Sequence, residues 1–285
     1  CDGIASSDDC DDEDPTSLAI ANDGDCDGTS TADDCDDGDP TLLATADDAD
    51  CDQVLGPNDC DDTDPTSTVE CVVVSVGAHF GCALLATGEL TCWGGKPDTD
   101  YKELDFPPDD FVTVSAGGAH GCGLTPAGEA KCWGINDGST FDFGQVRDTP
   151  TGVFESLSAG WFHTCGLRPG GQVECWGDDE YGQSSPPTDV FVSVSSGRTL
   201  TCGLTEAGDV ECWGRKDVWG YLEAPADKFS QINVGQYHAC GVTLTGVKCW
   251  GQDQGHGKVT DIPSGEFVSV SVGGYHTCGL RPDGQ

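Results

Sequence analysis

Two internal repeats of different period divide the chain. A repeat constrains folding strongly, because each unit buries itself mainly against its neighbours. The first is a 25-residue acidic unit starting at Cys1, Cys26 and Cys51, with a second cysteine nine residues on, at Cys10, Cys35 and Cys60. The second is a unit of roughly 40 residues ending in Cys-Trp-Gly, with its tryptophans at Trp93, Trp133, Trp176, Trp213 and Trp250. The switch near residue 71 predicts two domains, 1–70 and 71–285.

Residues 1–70 hold 22 Asp and 2 Glu, with no Lys, Arg, His or aromatic residue. Such a segment cannot build an apolar core, so cations and disulfides are its means of ordering. From Val72 onward the chain is rich in Gly, Val and Trp and able to bury a core. The formal net charge of −39 argues against nucleic acid, whose phosphates would be repelled. Eighteen regularly spaced cysteines point to an oxidising compartment, outside the cell or on its surface. They lack the tight Cys-x-x-Cys pairs of zinc sites. No stretch approaches the ~18 apolar residues of a transmembrane helix. Cys1 falls inside a repeat, and Cys278 opens a hairpin whose second cysteine does not arrive. The chain therefore reads as a piece of a longer protein, truncated within a sixth unit. A lipidated Cys1 is the alternative at the N-terminal end.

The acidic units carry the spacing of a calcium loop. Asp23, Asp25, Asp27, Gly28, Thr29, Thr31 and Asp34 fall at loop positions 1, 3, 5, 6, 7, 9 and 12. A hard cation with six to eight oxygen ligands needs alternating carboxylates folded back by a turn, which the glycine permits. The third unit repeats this with Asp48, Asp50, Asp52 and Asp59, with Gln53 in place of the glycine; the first keeps Asp2, Gly3 and Asp9. Asp at position 12 closes the shell less readily than Glu, so affinity in the extracellular range of ~10⁻⁴–10⁻³ M is expected. A second cluster follows each loop, as at Asp36, Asp37 and Asp39, and completes the set of candidate Ca²⁺ ligands. Regular secondary structure is not expected here. A solvated acidic tail would not keep Gly, Cys and Pro in phase.

These units resemble the Asp-Cys-Asp-Asp-x-Asp-Pro metal-binding motif of bacterial surface proteins and, more loosely, thrombospondin type 3 repeats. One member of the former is associated with copper. Residues 1–70 have no His and the chain has no Met, so soft or imidazole ligands are missing. Cysteine pairing within units strands Cys71, whereas pairing between units (10–26, 35–51, 60–71) leaves only Cys1. The second register would staple each unit to the next and is preferred.

The longer units, such as FVSVSSGRTLTCGLTEAGDVECWG, read as three strands. Alternation over Phe191–Ser195 gives the first. A bend at Gly197, a strand through Cys202, a turn at Gly208 and a strand into Trp213 follow. Cys165 and Cys175 are equidistant from Gly170, so a symmetric hairpin sets them opposite each other. The predicted disulfides are 82–92, 122–132, 165–175, 202–212 and 240–249. Gly88, Gly128, Gly171 and Gly208 each sit four residues before the second cysteine, where a hairpin turn needs a left-handed residue; at Gly246 the interval is three, predicting a shorter turn.

The pattern is similar to the regulator-of-chromosome-condensation repeat family, whose units end in Trp-Gly and form β-propeller blades. The resemblance implies a mainly β, disulfide-stapled propeller, with seven blades when complete. The paired cysteines depart from intracellular members and argue against the nuclear exchange-factor role of the family's namesake. His120, His163, His238 and His276 recur two residues before a cysteine, in a slot that Phe80 and Leu200 fill elsewhere. A catalytic residue is normally unique, so structural hydrogen bonding is expected of them. The repeated tryptophans are expected to pack. Function should lie where units differ, in connections that carry Tyr101, Phe106, Phe141, Phe143, Tyr181, Trp219 and Tyr221. These aromatics either anchor a partner or cap neighbouring blades.

The expected function is therefore a non-catalytic, Ca²⁺-binding protein outside the cell, its acidic repeats a stalk and its propeller loops contacting an extracellular protein or glycan, or another copy. No Gly-x-Ser-x-Gly, His-Glu-x-x-His or phosphate loop suggests an enzyme. The alternative is a secreted propeller-type enzyme inhibitor.

Overall fold

The computed structural model describes residues 73–85, 88–95, 102–216, 223–253 and 257–284. Asp2, Asp9, Asp23, Asp25, Asp27, Thr29, Thr31, Asp34, Asp36, Asp37, Asp39, Asp48, Asp50, Asp52 and Asp59 lie outside them, as do the cysteines up to Cys71 and Tyr101, Trp219 and Tyr221.

Each long unit folds as an antiparallel sheet whose strands pair in chain order. The first sheet holds β1 (Val73–Val76), β2 (Phe80–Leu84) and β3 (Leu90–Gly94). The second holds β4 (Thr113–Ala116), β5 (His120–Leu124) and β6 (Ala130–Gly134), and the third β7 (Ser156–Ala159), β8 (His163–Leu167) and β9 (Val173–Gly177). In the fourth are β10 (Ser193–Ser196), β11 (Leu200–Leu204) and β12 (Val210–Gly214). The fifth has β13 (Phe229–Val234), β14 (His238–Thr243) and β15 (Gly246–Gly251). β16 (Ser269–Val272) and β17 (Thr277–Leu280) form a two-stranded sixth sheet. No helix occurs among the described residues.

Each hairpin places its two cysteines in register, as at Cys165↔Cys175, and all five expected disulfides form. The turn glycines take the left-handed conformation, with Gly208 at φ 81°, and the fifth hairpin closes tightly, Thr243 pairing with Gly246. One expectation is corrected. Phe191 precedes β10 rather than opening it, and its N–H donates to Gly171 O of the preceding sheet. Its ring turns inward over Gly203, where a Cβ would collide with it, and this explains the glycine of the repeated Cys-Gly-Leu.

Sheets bury their apolar groups against one another. Between the third and fourth sheets lie Cys165, Leu167, Phe191 and Trp213, so the phenylalanine and tryptophan of one sheet cover the disulfide hairpin of the sheet before it. The Phe191 and Trp213 rings are tilted with centroids 5.8 Å apart. The same pairing recurs at Phe111–Trp133, Phe154–Trp176 and Phe229–Trp250. Trp93, in the first sheet, is 49% exposed.

The first strands of the sheets are joined by a ladder that runs in one direction. Ser75, Ser115, Ser158 and Ser195 Oγ accept the N–H of Ala116, Ala159, Ser196 and Val234 in the next sheet; Asn233 Oδ1 does the same for Val272. Around this ladder the first strands line a shared cavity of ≈ 410 Å³.

Candidate functional site: the bend face

Each first strand ends in a glycine, at Gly77, Gly117, Gly160, Gly197, Gly235 and Gly273. These glycines are packed edge to edge. A Cβ on Gly160 would strike Gly197 O. The second strand begins three residues after the glycine in the first five sheets and four after it in the sixth. The bend thus holds two residues per sheet, the first at the mouth of the cavity and the second beside the point where the Trp-Gly strand leaves. Asp178 N–H donates to Phe162 O, and Ile135 N–H to Ala119 O, which joins the outgoing connection to this same face.

The slot after the bend holds a structural staple. Nε2 of His120, His163 and His238 lies within 2.8 Å of the hydroxyl of Thr164, Thr201 and Thr277 in the following sheet. Burial pushes the imidazoles of His120 and His163 down to about 3, and that of His238 to about 4, so all three are neutral. Where the slot holds Phe80 or Leu200, the following sheet offers Gly121 or Ala239 in place of threonine. Donor and acceptor are exchanged together for apolar groups, which avoids an unsatisfied buried hydroxyl. These three histidines are structural, as expected, whereas His276, of which the same was expected, is exposed in the sixth sheet. Trp133, Trp176 and Trp213 are structural too, and their indole N–H groups donate to Glu103 O, Gln145 O and Gln183 O.

The two bend positions depart from the repeat. They read Ala78-His79, Gly118-Ala119, Trp161-Phe162, Arg198-Thr199, Gln236-Tyr237 and Gly274-Tyr275. The large residues touch one another across sheets. Phe141 stacks on Phe162 at 5.4 Å, and Phe143 packs at 5.5 Å on its edge. Phe162 meets Trp161, and the Arg198 guanidinium lies 5.0 Å from the Trp161 ring centroid. Arg198 Nη1 donates to Tyr237 Oη at 3.3 Å, and Tyr237 packs on Tyr275 at 5.1 Å. A ribbon of aromatic rings interrupted by a cation therefore crosses the face from the second sheet to the sixth.

Buried amides hold up its ends. Gln145 Oε1 accepts Phe143 N–H while its Nε2 donates to Phe141 O, fixing the aromatic loop from beneath. Gln183 Oε1 accepts Tyr181 N–H in the same way. Lys258 takes the corresponding place in the fifth connection, following Gly257 as Gln145 follows Gly144. It is 5% exposed, and its ammonium sits 5.2 Å and 5.3 Å from the Tyr237 and Tyr275 ring centroids.

Of the aromatics singled out in the connections, Phe141, Phe143 and Tyr181 stand on this face, 45%, 39% and 40% exposed. Phe106 instead packs on Trp133 and caps a seam. Sequence reasoning missed Trp161, Arg198, Tyr237 and Tyr275, because they sit inside the repeat rather than between repeats. The signal was present in the variation of the two residues after each bend glycine.

Two stretches, residues 111–145 and 154–183, match the model of the regulator of chromosome condensation (RCC1) repeat. No curated protein sequence matches the chain. Among solved structures it is similar to the CRINKLY WD40 ectodomain of the Arabidopsis thaliana receptor kinase ACR4, with 28% identity over 75% of this chain and 78% of that one and a TM-score of 0.58. The ectodomain of the Physcomitrella patens receptor kinase CR4 is similar at 28% identity, over 63% of this chain and 49% of that chain, with a TM-score of 0.53. Prp20p from Saccharomyces cerevisiae shares the fold at 16% identity, over 73% and 67% of the two chains, with a TM-score of 0.57. The chain thus carries RCC1 repeats as successive disulfide-bonded sheets of a propeller-like unit.

Proposed function

We infer that the protein is a non-catalytic, Ca²⁺-binding protein of the cell surface or extracellular space. In this reading residues 1–70 bind calcium and stiffen into a stalk, and the sheet unit presents its bend face to an extracellular protein or glycan, or to another copy. The observation that carries the binding assignment is the departure of the bend face from an otherwise strict repeat. Packing residues recur from unit to unit, whereas Trp161, Phe162 and Arg198 each occur once in their slots and share one surface with Tyr237. Aromatic and arginine side chains are the usual anchors of binding surfaces. Five disulfides favour an oxidising compartment, and similarity to a receptor-kinase ectodomain supports the same location. Calcium rests on the loop spacing of Asp23 to Asp34 and Asp48 to Asp59.

Small-angle X-ray scattering of the non-reduced protein, with calcium and then with chelator, tests the stalk. A longer, stiffer particle in calcium is expected; identical profiles would remove calcium-dependent display. Binding to cells or matrix should fall when Phe141 and Phe143 are both replaced by Ser, and unchanged binding would remove the bend face as the contact.

A further inference from the structure

Resting on the binding role inferred above, we propose that the cavity mouth beside Trp161 and Arg198 is a subsite for an acidic glycan, with a sugar carboxylate on the guanidinium and a sugar ring against the indole. The cavity is lined by residues from all six sheets, and none of them is Asp or Glu. In a chain with 51 acidic and 12 basic residues, that exclusion leaves a surface where an anion meets no like charge. Arg198 is the cation of this lining, and Gln236 adds an amide next to it. Among the described residues the guanidinium has one protein acceptor, Tyr237 Oη, which leaves a fork of N–H donors for a carboxylate. The mouth is asymmetric. Trp161, Arg198 and Gln236 form one wall, while Ala78, Gly118 and Gly274 occupy the same slot opposite, so an extended ligand has a bulky side to lie against and an open side to leave by.

The ribbon favours a sugar over a peptide. Its exposed large apolar groups, Phe141, Phe143, Tyr181 and Tyr275, are all aromatic. Flat rings present a π face to the polarised C–H groups of a sugar, whereas a peptide interface gains from aliphatic contacts as well. The exposed valines Val112, Val153, Val190, Val192 and Val268 lie at or just before the start of the first strands, at the end away from the bends, while Val76 stands at the bend end of β1 and borders the cavity beside Ala78.

The test is titration of the full chain by calorimetry in chelator, so that calcium on residues 1–70 cannot bridge protein and ligand. The probes are tetragalacturonate, neutral maltotetraose and hexaglutamate. Tetragalacturonate should bind best. Arg198→Gln should weaken it about tenfold or more, Arg198→Lys less, and Trp161→Ala should weaken both saccharides. Arg198 is exposed, so its variants should melt with the parent, and matched melting curves are the control for them and for Trp161→Ala, whose ring is half-buried. Equal binding of hexaglutamate with the same Arg198 dependence would overturn the glycan assignment in favour of an acidic peptide. No binding by any probe, or binding indifferent to Arg198→Gln, would overturn the site itself. If cell binding still depended on Phe141 and Phe143, that failure would fall on the ligand class and leave the wider binding role standing.

Discussion

The seam between the third and fourth sheets and the bend face above it are built from adjacent residues of the same units, yet they follow opposite rules. In the seam, Phe191, Trp213, Cys165 and the His163–Thr201 pair each have a counterpart in other sheets. On the bend face, Trp161 and Arg198 have none. A buried position must satisfy the next sheet's shape and hydrogen bonding, so it is held to one solution. A solvent-facing position is free to vary and to take on recognition. Stability and binding should therefore separate by position within a single unit.

The largest break in that comparison should come from the seam. Trp213→Ala removes an indole packed on Phe191 and the preceding disulfide hairpin, together with one of the two donors to Gln183 O. A loss of about 3–5 kcal/mol is expected in urea unfolding, and a loss below that of a surface substitution would mean the seams are not the core. Acidification should come next. The unfolded chain protonates His120 and His163 near 6.5, but the folded chain does so only near 3. The unfolded state thus binds more protons below pH 6.5, so stability falls with pH through that window and levels off below it. Between pH 6.5 and 4.5 the cost is on the order of 2 kcal/mol per histidine. His163→Gln should flatten the profile relative to the parent, and parallel profiles would show that the imidazole is not held neutral. Smallest of all should be Phe143→Ser on the bend face, at less than about 1 kcal/mol. A larger loss would make the ribbon a structural element and sharpen the boundary between the two regions.

Much of the fold was legible in the sequence because its signals are local. Cysteine spacing around Gly170 gave the disulfide register, and the glycine interval gave the turn. The hydrogen bond from Phe191 to the preceding sheet was not legible, since its acceptor, Gly171 O, lies 20 residues away in another unit. The histidine staple was half legible. Its structural role followed from repetition, but its partner lies 38 residues away at Thr201 and becomes visible only when the slots of consecutive units are compared. The bend face was missed for a related reason. Trp161 and Tyr237 occupy alignable positions, and their meeting through Arg198 is produced by stacking of sheets rather than by spacing within one.

The one-way ladder from Ser75 to Asn233 has a consequence for how such a chain changes over generations. At each of the five junctions a side-chain oxygen at the same position, serine in four and asparagine in one, accepts a backbone N–H of the next sheet. The ladder alone sets no order on the units, but the slot after the bend does: an in-frame duplication of the third unit would repeat the His163 and Thr164 match, whereas one of the fourth would set Leu200 against the hydroxyl of a second Thr201. Novelty can then enter at the two residues after each bend, which makes the protein a reading frame for recognition written on parts that are matched to their neighbours.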